Sequence, residues 1–228
     1  MPDKVRFRSG QPNQLVVGGE KIQLTSPRPY SDRFVPITKD LATEIPHYLD
    51  NFQPYMASWG KVKANHTLLA FSYGEGHEVN RLIALKICQL LNKYPIGTVL
   101  VQWEIANLIS TVQPALNPFI KPVTLDEGQA YMSTIEVARK AMAMTTNHDV
   151  TIVAQSWHLS RCIRHAEIVG WRCQAARSLD SFAPNDPQPW VRHPLDWIIK
   201  ESKMRYLETQ QSNIPKSNVS RNHATNAY

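Results

Sequence analysis

His66-Thr67-Leu68-Leu69-Ala70-Phe71-Ser72-Tyr73-Gly74-Glu75-Gly76-His77 is the stretch on which the fold turns. Residues 67–72 are apolar at nearly every position rather than at every second one, as a strand covered on both faces must be. Gly74 and Gly76 stop the strand. Residues 79–94 then place Val79, Ile83, Ile87, Leu90 and Leu91 on one helical face, and Pro95-Ile96-Gly97 closes that helix. A strand, two glycines and an amphipathic helix form the first half of a βαβ unit.

The pattern repeats along the chain. Residues 98–103 read as a second strand, followed by a loop with Pro114, Pro118 and Pro122. A helix is expected over 128–144, with Ala130, Val137, Ala138, Ala141 and Met142 as its apolar stripe. A strand at 149–154 follows, then a helix at 158–169 stopped by Gly170, a strand at 171–176, and a last helix at 194–207. Strands alternating with helices predict an α/β fold, a Rossmann-like three-layer α/β/α domain with a mostly parallel sheet. Crossovers between parallel strands are right-handed, so the loops leaving the strand C-termini gather on one edge, where open α/β sheets bind ligands.

Around this core, residues 1–65 read as an N-terminal extension packed on it. That extension holds a short strand at Gln14-Leu15-Val16-Val17 and a partly helical stretch at 37–58, interrupted by Pro46 and Pro54. Residues 209–228, rich in Ser and Asn and poor in apolar side chains, are expected to be a disordered tail. The net charge of +6 is unevenly placed. Residues 1–35 hold six Lys/Arg against three Asp/Glu, and residues 210–228 hold Lys216 and Arg221 with no acid, which leaves the body at +1. A nucleic-acid footprint needs a concentrated patch on a folded body, so nucleic acid is not the expected partner. No apolar run is long enough for a membrane span, and the first residues lack the apolar segment of a signal peptide, so the expectation is a soluble, cytoplasmic protein. Cys88, Cys162 and Cys173 are odd in number and contain no CxxC pair, which fits buried thiols better than disulfides or zinc.

The chemistry-bearing residues fall on the loops that follow strands. Gly74 and Gly76 let backbone amides approach an anion at a helix N-terminus, or else they make a tight turn. Arg81, early in the helix, opposes the helix dipole unless an anion offsets it. Glu104 follows the second strand directly. Glu127 closes a Thr124-Leu125-Asp126-Glu127 capping pattern before the third element's helix. Thr134 lies in an apolar stripe and needs a partner for its hydroxyl, either a helix carbonyl or a ligand. Glu136 falls on the polar face. In Gln155-Ser156-Trp157-His158-Leu159-Ser160-Arg161, His158 opens a helix, where the dipole favours neutral imidazole, suited to acid–base work. Arg161 lies one turn on.

Together these segments resemble a known family. A Gly-rich loop is followed by Arg81 and Ala84. Ser133-Thr134-Ile135-Glu136-Val137-Ala138 resembles an Asn-Thr-x-Glu-Asn-Ala helix, and Trp157-His158-Leu159-Ser160-Arg161-Cys162 resembles an aromatic-His-x-x-Arg-Ala motif with Gly170 after it. The helix carrying Trp197 and Glu201 resembles a closing Arg-Glu helix. Over residues 66–208 the chain is similar to the YdcF/SanA/ElyC-type family, the domain of unknown function 218, as a divergent soluble member. It has Gln102-Trp103-Glu104 where that family usually has Gly-Gly. The loops and helix starts lead to the expectation of a pocket for a small anionic ligand, nucleotide-like or a sugar phosphate. His158, Glu104 and Glu127 would be its catalytic groups, and Gly74, Gly76, Arg81, Thr134, Ser156 and Arg161 its binding groups. No metal site is expected, and no cofactor or oligomeric state is indicated. An enzyme and a non-catalytic binding or regulatory module, linked to cell-envelope metabolism, both remain open.

Overall fold

The computed structural model describes residues 6–8, 11–17, 20–23, 45, 48–49 and 54–212. The chain divides into two compact units, Gln53–Pro194 on the one hand and Met1–Phe52 with Leu195–Tyr228 on the other.

The larger unit is built on a six-stranded sheet. Its strands are β4 (Trp59–Gly60), β5 (Thr67–Ala70), β6 (Thr98–Gln102), β7 (Ile120–Val123), β8 (Asp149–Gln155) and β9 (Arg172–Leu179), in the order β4-β9-β8-β5-β6-β7. All pairings are parallel except that of β4 on β9, where Trp59 faces Ala176. The helices of this unit are α1 (His77–Lys93), α2 (Trp103–Val112), α3 (Thr134–Ala143) and α4 (Leu159–Ile168).

Alternate residues of the buried strands feed two apolar layers. Leu69, Phe71, Leu100, Val150, Ile152 and Ala154 join α3 and α4 in one cluster. Leu68, Val99, Val101 and Val153 are equally buried, as are Val79, Ile83 and Ile87 of α1 and Ile105 and Ile109 of α2. The α/β, three-layer expectation is what the chain forms: β5 is wholly buried and β8 is buried from Val150 on, so side chains of both parities must be sheltered from water. From β5 the chain moves outward to β6 and β7, then returns to the other side of β5 for β8 and β9. The strand order therefore reverses between β5 and β8, and the crevice outside their C-termini is the ligand position of such sheets.

Several boundaries differ from the sequence reading. The strand at 98–103 ends at Gln102, and α2 follows at once, with Ile105, Ala106 and Ile109 on its buried face. The sequence hides the start of this helix, where a loop is expected, because Trp103 and Ile105 continue the apolar run of β6. β7 also falls in the expected loop, since Pro122 cannot donate to a ladder; as an edge strand paired with β6, it tolerates the missing N–H. The helix expected over 128–144 begins at Thr134. Gly128 has φ +78, outside the helical region, and the capping box is formed by Ser133 and Glu136 rather than Thr124 and Glu127. Ala130, expected in the apolar stripe, is exposed.

In the smaller unit, β1 (Arg6–Arg8), β2 (Gln11–Val17) and β3 (Glu20–Gln23) form an antiparallel sheet with Val17 opposite Glu20, so the Gly18-Gly19 signal falls between strands. β2 starts three residues earlier than read. The last helix, α5 (Pro194–Ser212), runs five residues past the expected end, because Glu208, Gln210 and Gln211 are good helix formers once a helix is under way. Ile45, Tyr48 and Leu49 are helical; most of the stretch 37–58 and the tail beyond Ser212 lie outside the described residues. Among the described residues, no helix is long and apolar enough to cross a membrane.

Candidate functional site

Three neighbouring strand ends make the site: β6 leading to Gln102 and Glu104, β5 to Ser72 through Gly76, and β8 to Ser156 and His158. The Gly-rich loop is held from two directions. Asn80, on the buried side of α1, accepts the Tyr73 N–H at 2.8 Å and donates to the carbonyls of Gly74 and Gly76. Asp186, 97% buried on the loop after β9, accepts the Glu75 N–H at 3.2 Å and the Gly76 N–H at 2.7 Å. The anion at this helix N-terminus is the protein's own carboxylate. Glycine is required because of it: a Cβ on Gly76 would lie 2.8 Å from Asp186 Oδ2, one on Gly74 would collide with the same oxygen, and Gly74 has φ +78. The Gln188 N–H, 2.8 Å from Oδ1, completes the carboxylate's shell.

On the β8 side, Gln155 is the organising residue. Its Oε1 accepts the N–H groups of Trp157 at 2.6 Å and His158 at 3.1 Å, while its Nε2 donates to the Ser181 carbonyl. Ser156 is fully buried and acts through its backbone, with its N–H on the Leu179 carbonyl and its carbonyl receiving the Met56 N–H. His158 is therefore set immediately before α4, and its ring meets α3: Nε2 and Thr134 Oγ1 share a hydrogen bond of 3.2 Å. The histidine is the partner that the Thr134 hydroxyl needs, which explains the anomaly in its stripe. Around the imidazole stand Phe71 and Tyr73, with ring centroids 6.4 and 6.0 Å away; Phe182 packs edge-on against both Tyr73 and Trp157. His158 is 94% buried.

Glu104 sits in the first turn of α2, beside Ser72 and Gln102. Burial pushes its carboxyl above the usual range, opposed in part by hydrogen bonds from its own backbone and from the Gln102 and Ser72 side chains. Gln102 Oε1 accepts the Ser72 N–H at 3.1 Å, and Gln102 Nε2 donates to Glu104 Oε1 at 3.3 Å. Oε2 of Glu104 is buried without a hydrogen-bond partner.

The remaining sequence-predicted residues are more scattered. Arg161 is buried within α4. Arg81 is exposed on α1, a full turn in from its start rather than at it. Glu127 is exposed on the Glu127–Gly128 turn. Glu136, read as a solvated face residue, caps α3 by accepting the Ser133 N–H at 2.7 Å, and the Ser133 hydroxyl holds its carboxyl below the ordinary range. Asp186, Asn80, Gln102 and Gln155 escaped the sequence reading. Asp186, in Asn185-Asp186-Pro187, has only a turn signal, and Asn80 lies on a face where an apolar residue would pass equally well. A separate concavity of about 580 Å³ lies between α2 and β7, lined by Trp103, Asn107, Ser110, Asn117, Ile120 and Leu125, and none of the predicted site residues borders it. Among the described residues no cluster of three His, Cys, Asp or Glu side chains could hold a metal.

Compared with known proteins, the chain matches no family model, no curated protein and no solved structure.

Proposed function

We propose that the crevice between the ends of β5 and β8 binds a small anionic ligand, with His158 as its acid–base group and Thr134 fixing the ring. The hydrogen bond between Thr134 and His158 carries this reading. It joins two segments that the resemblance to the YdcF/SanA/ElyC-type family singles out independently, and it sits at the reversal of strand order, where such sheets take ligands. A hydroxyl on Nε2 selects one ring orientation, as an acid–base group needs. Glu104 is the second titratable group, on the adjoining strand end. Arg81 and Arg161 are the cations offered for the ligand's charge; a nucleotide-like or sugar-phosphate compound in the cytoplasm fits that set. Since Asp186 already takes the Glu75 and Gly76 amides, the anion is held outside that loop.

A non-catalytic binding module is the second reading, favoured by the depth of the His158 ring. Thermal shift with phosphate-bearing compounds tests the first, because a ligand selective for the native state raises Tm by mass action. The wild type should respond, while His158→Asn and Arg161→Ala should lose the response. An equal response in all three proteins sinks the assignment, and turnover of a responding compound by the wild type but not by His158→Asn decides for an enzyme.

A further inference from the structure

Gln102 stands at a place where only one orientation of its amide makes chemical sense. The Ser72 backbone N–H, 3.1 Å from it, is a donor and must meet the carbonyl oxygen. The amide NH₂ is thereby turned toward Glu104 and donates to Oε1. That carboxyl oxygen is committed as an acceptor. The other, Oε2, is out of contact with water and has no hydrogen-bond partner. A buried carboxyl oxygen left this way is costly as an anion and is satisfied either by carrying a proton or by an incoming group.

We propose that Gln102 is a positioning residue which makes Glu104 Oε2 the proton-bearing oxygen offered to an acceptor oxygen of the ligand. The proposal deepens the anionic-ligand reading and rests on it: a neutral carboxylic acid donating to a phosphoryl or carboxyl oxygen forms the strong, charge-assisted kind of hydrogen bond. The division of labour follows, with Glu104 as the donor and His158 as the group that exchanges a proton across the crevice. The direction in which burial moves Glu104 agrees. The elements packed on α2 carry His77, Glu78, Arg81, Lys86 and Lys93 on α1 and Lys121 on β7. None of them contributes to that movement, which comes from burial and is opposed by the hydrogen bonds of the Glu104 backbone and the Gln102 and Ser72 side chains. Side chains thus stand where the family's Gly-Gly would present backbone.

The test has two arms. In carboxyl ¹³C NMR of the full chain, the Glu104 signal is identified by its absence in Glu104→Gln. It should titrate above the exposed glutamates and move further up in Gln102→Leu, where the hydrogen bond to the charged form is gone; a purely structural Gln102 would leave it in place. In the second arm, binding of sulfate and of acetate is followed by calorimetry at pH values where neither probe changes charge. Wild-type affinity should fall about tenfold or more as Glu104 loses its proton, and that dependence should vanish in Glu104→Gln, whose amide donates at every pH. His158 contributes alike to both proteins. A response to sulfate alone identifies a phosphoryl-type ligand, and a response to acetate alone a carboxylate. Titration of Glu104 with the exposed glutamates, an unmoved signal in Gln102→Leu, or a wild-type pH profile in Glu104→Gln overturns the proposal. Failure of both probes to bind the wild type overturns the anionic-ligand reading instead, and the NMR arm then decides the proton placement by itself.

Discussion

At the scale of single residues, the balance at the Gly-rich loop is set by one carboxylate. Asp186 accepts three backbone N–H groups while almost fully buried, and no described side chain competes for them. Hydrogen bonds to a charged group are each worth about 1.5–3 kcal/mol, and a buried donor left unpaired costs about 1–3 kcal/mol. Asp186→Ala should therefore lower stability by about 3 kcal/mol, read as a fall in the urea midpoint at unchanged slope. A change below about 0.5 kcal/mol, typical of surface substitutions, would show that water replaces the carboxylate without loss. The same pair explains what the sequence could and could not show. Gly74 and Gly76 fit either an anionic ligand close to the backbone amides or a tight turn, and the group those amides meet is Asp186. The approaching group is contributed from a segment whose own sequence reads only as a turn, so a ligand anion and a protein anion looked the same.

At the scale of elements, the helix start at Ser133 shows how local signals compete. Thr124 through Glu127 and Ser133 through Glu136 both have the spacing of a capping box, and apolar periodicity alone extends the helix back toward the first. Gly128 decides between them, because a residue at φ +78 cannot lie inside an α-helix. The working cap satisfies Ser133 N–H through Glu136 and Glu136 N–H through the Ser133 hydroxyl. Removing it in Ser133→Ala should cost about 0.5–2 kcal/mol. If α3 is also what holds Thr134 on His158, the variant should weaken any ligand response more than Glu127→Ala, which leaves the cap alone. Equal ligand responses in the two variants would detach the helix start from the site. The central strands and α1 were legible because double-sided burial and 3.6-residue periodicity leave strong marks. α2 and β7 were not, since one merges with the apolar run before it and the other carries a proline that only an edge strand accepts.

At the scale of the molecule, the same burial that builds the layers silences the thiols. Cys88 and Cys162 are buried, burial pushes the Cys88 thiol up, and Cys173 is pushed up to about 12 by burial and by the Glu167 charge. Since the thiolate is the reactive form, a thiol-modifying reagent should label none of the three in the native protein and all of them after unfolding. Prompt labelling of one native thiol would mark a place where the layers open.

The Gly76–Asp186 contact spans 110 positions. Read in time rather than in space, it means that the loop is made early and locked late. During synthesis β5, α1 and the strands beside them can assemble while the amides of Glu75 and Gly76 still face water, and only the arrival of the segment after β9 closes them. Closing a loop of such length costs entropy and is slow, and an interaction made only after the folding barrier acts on the unfolding rate. Asp186→Ala should accordingly speed unfolding with little change in the folding rate, as stopped-flow kinetics would show. The lock therefore acts chiefly on the rate at which the native site is lost, making it long-lived once formed.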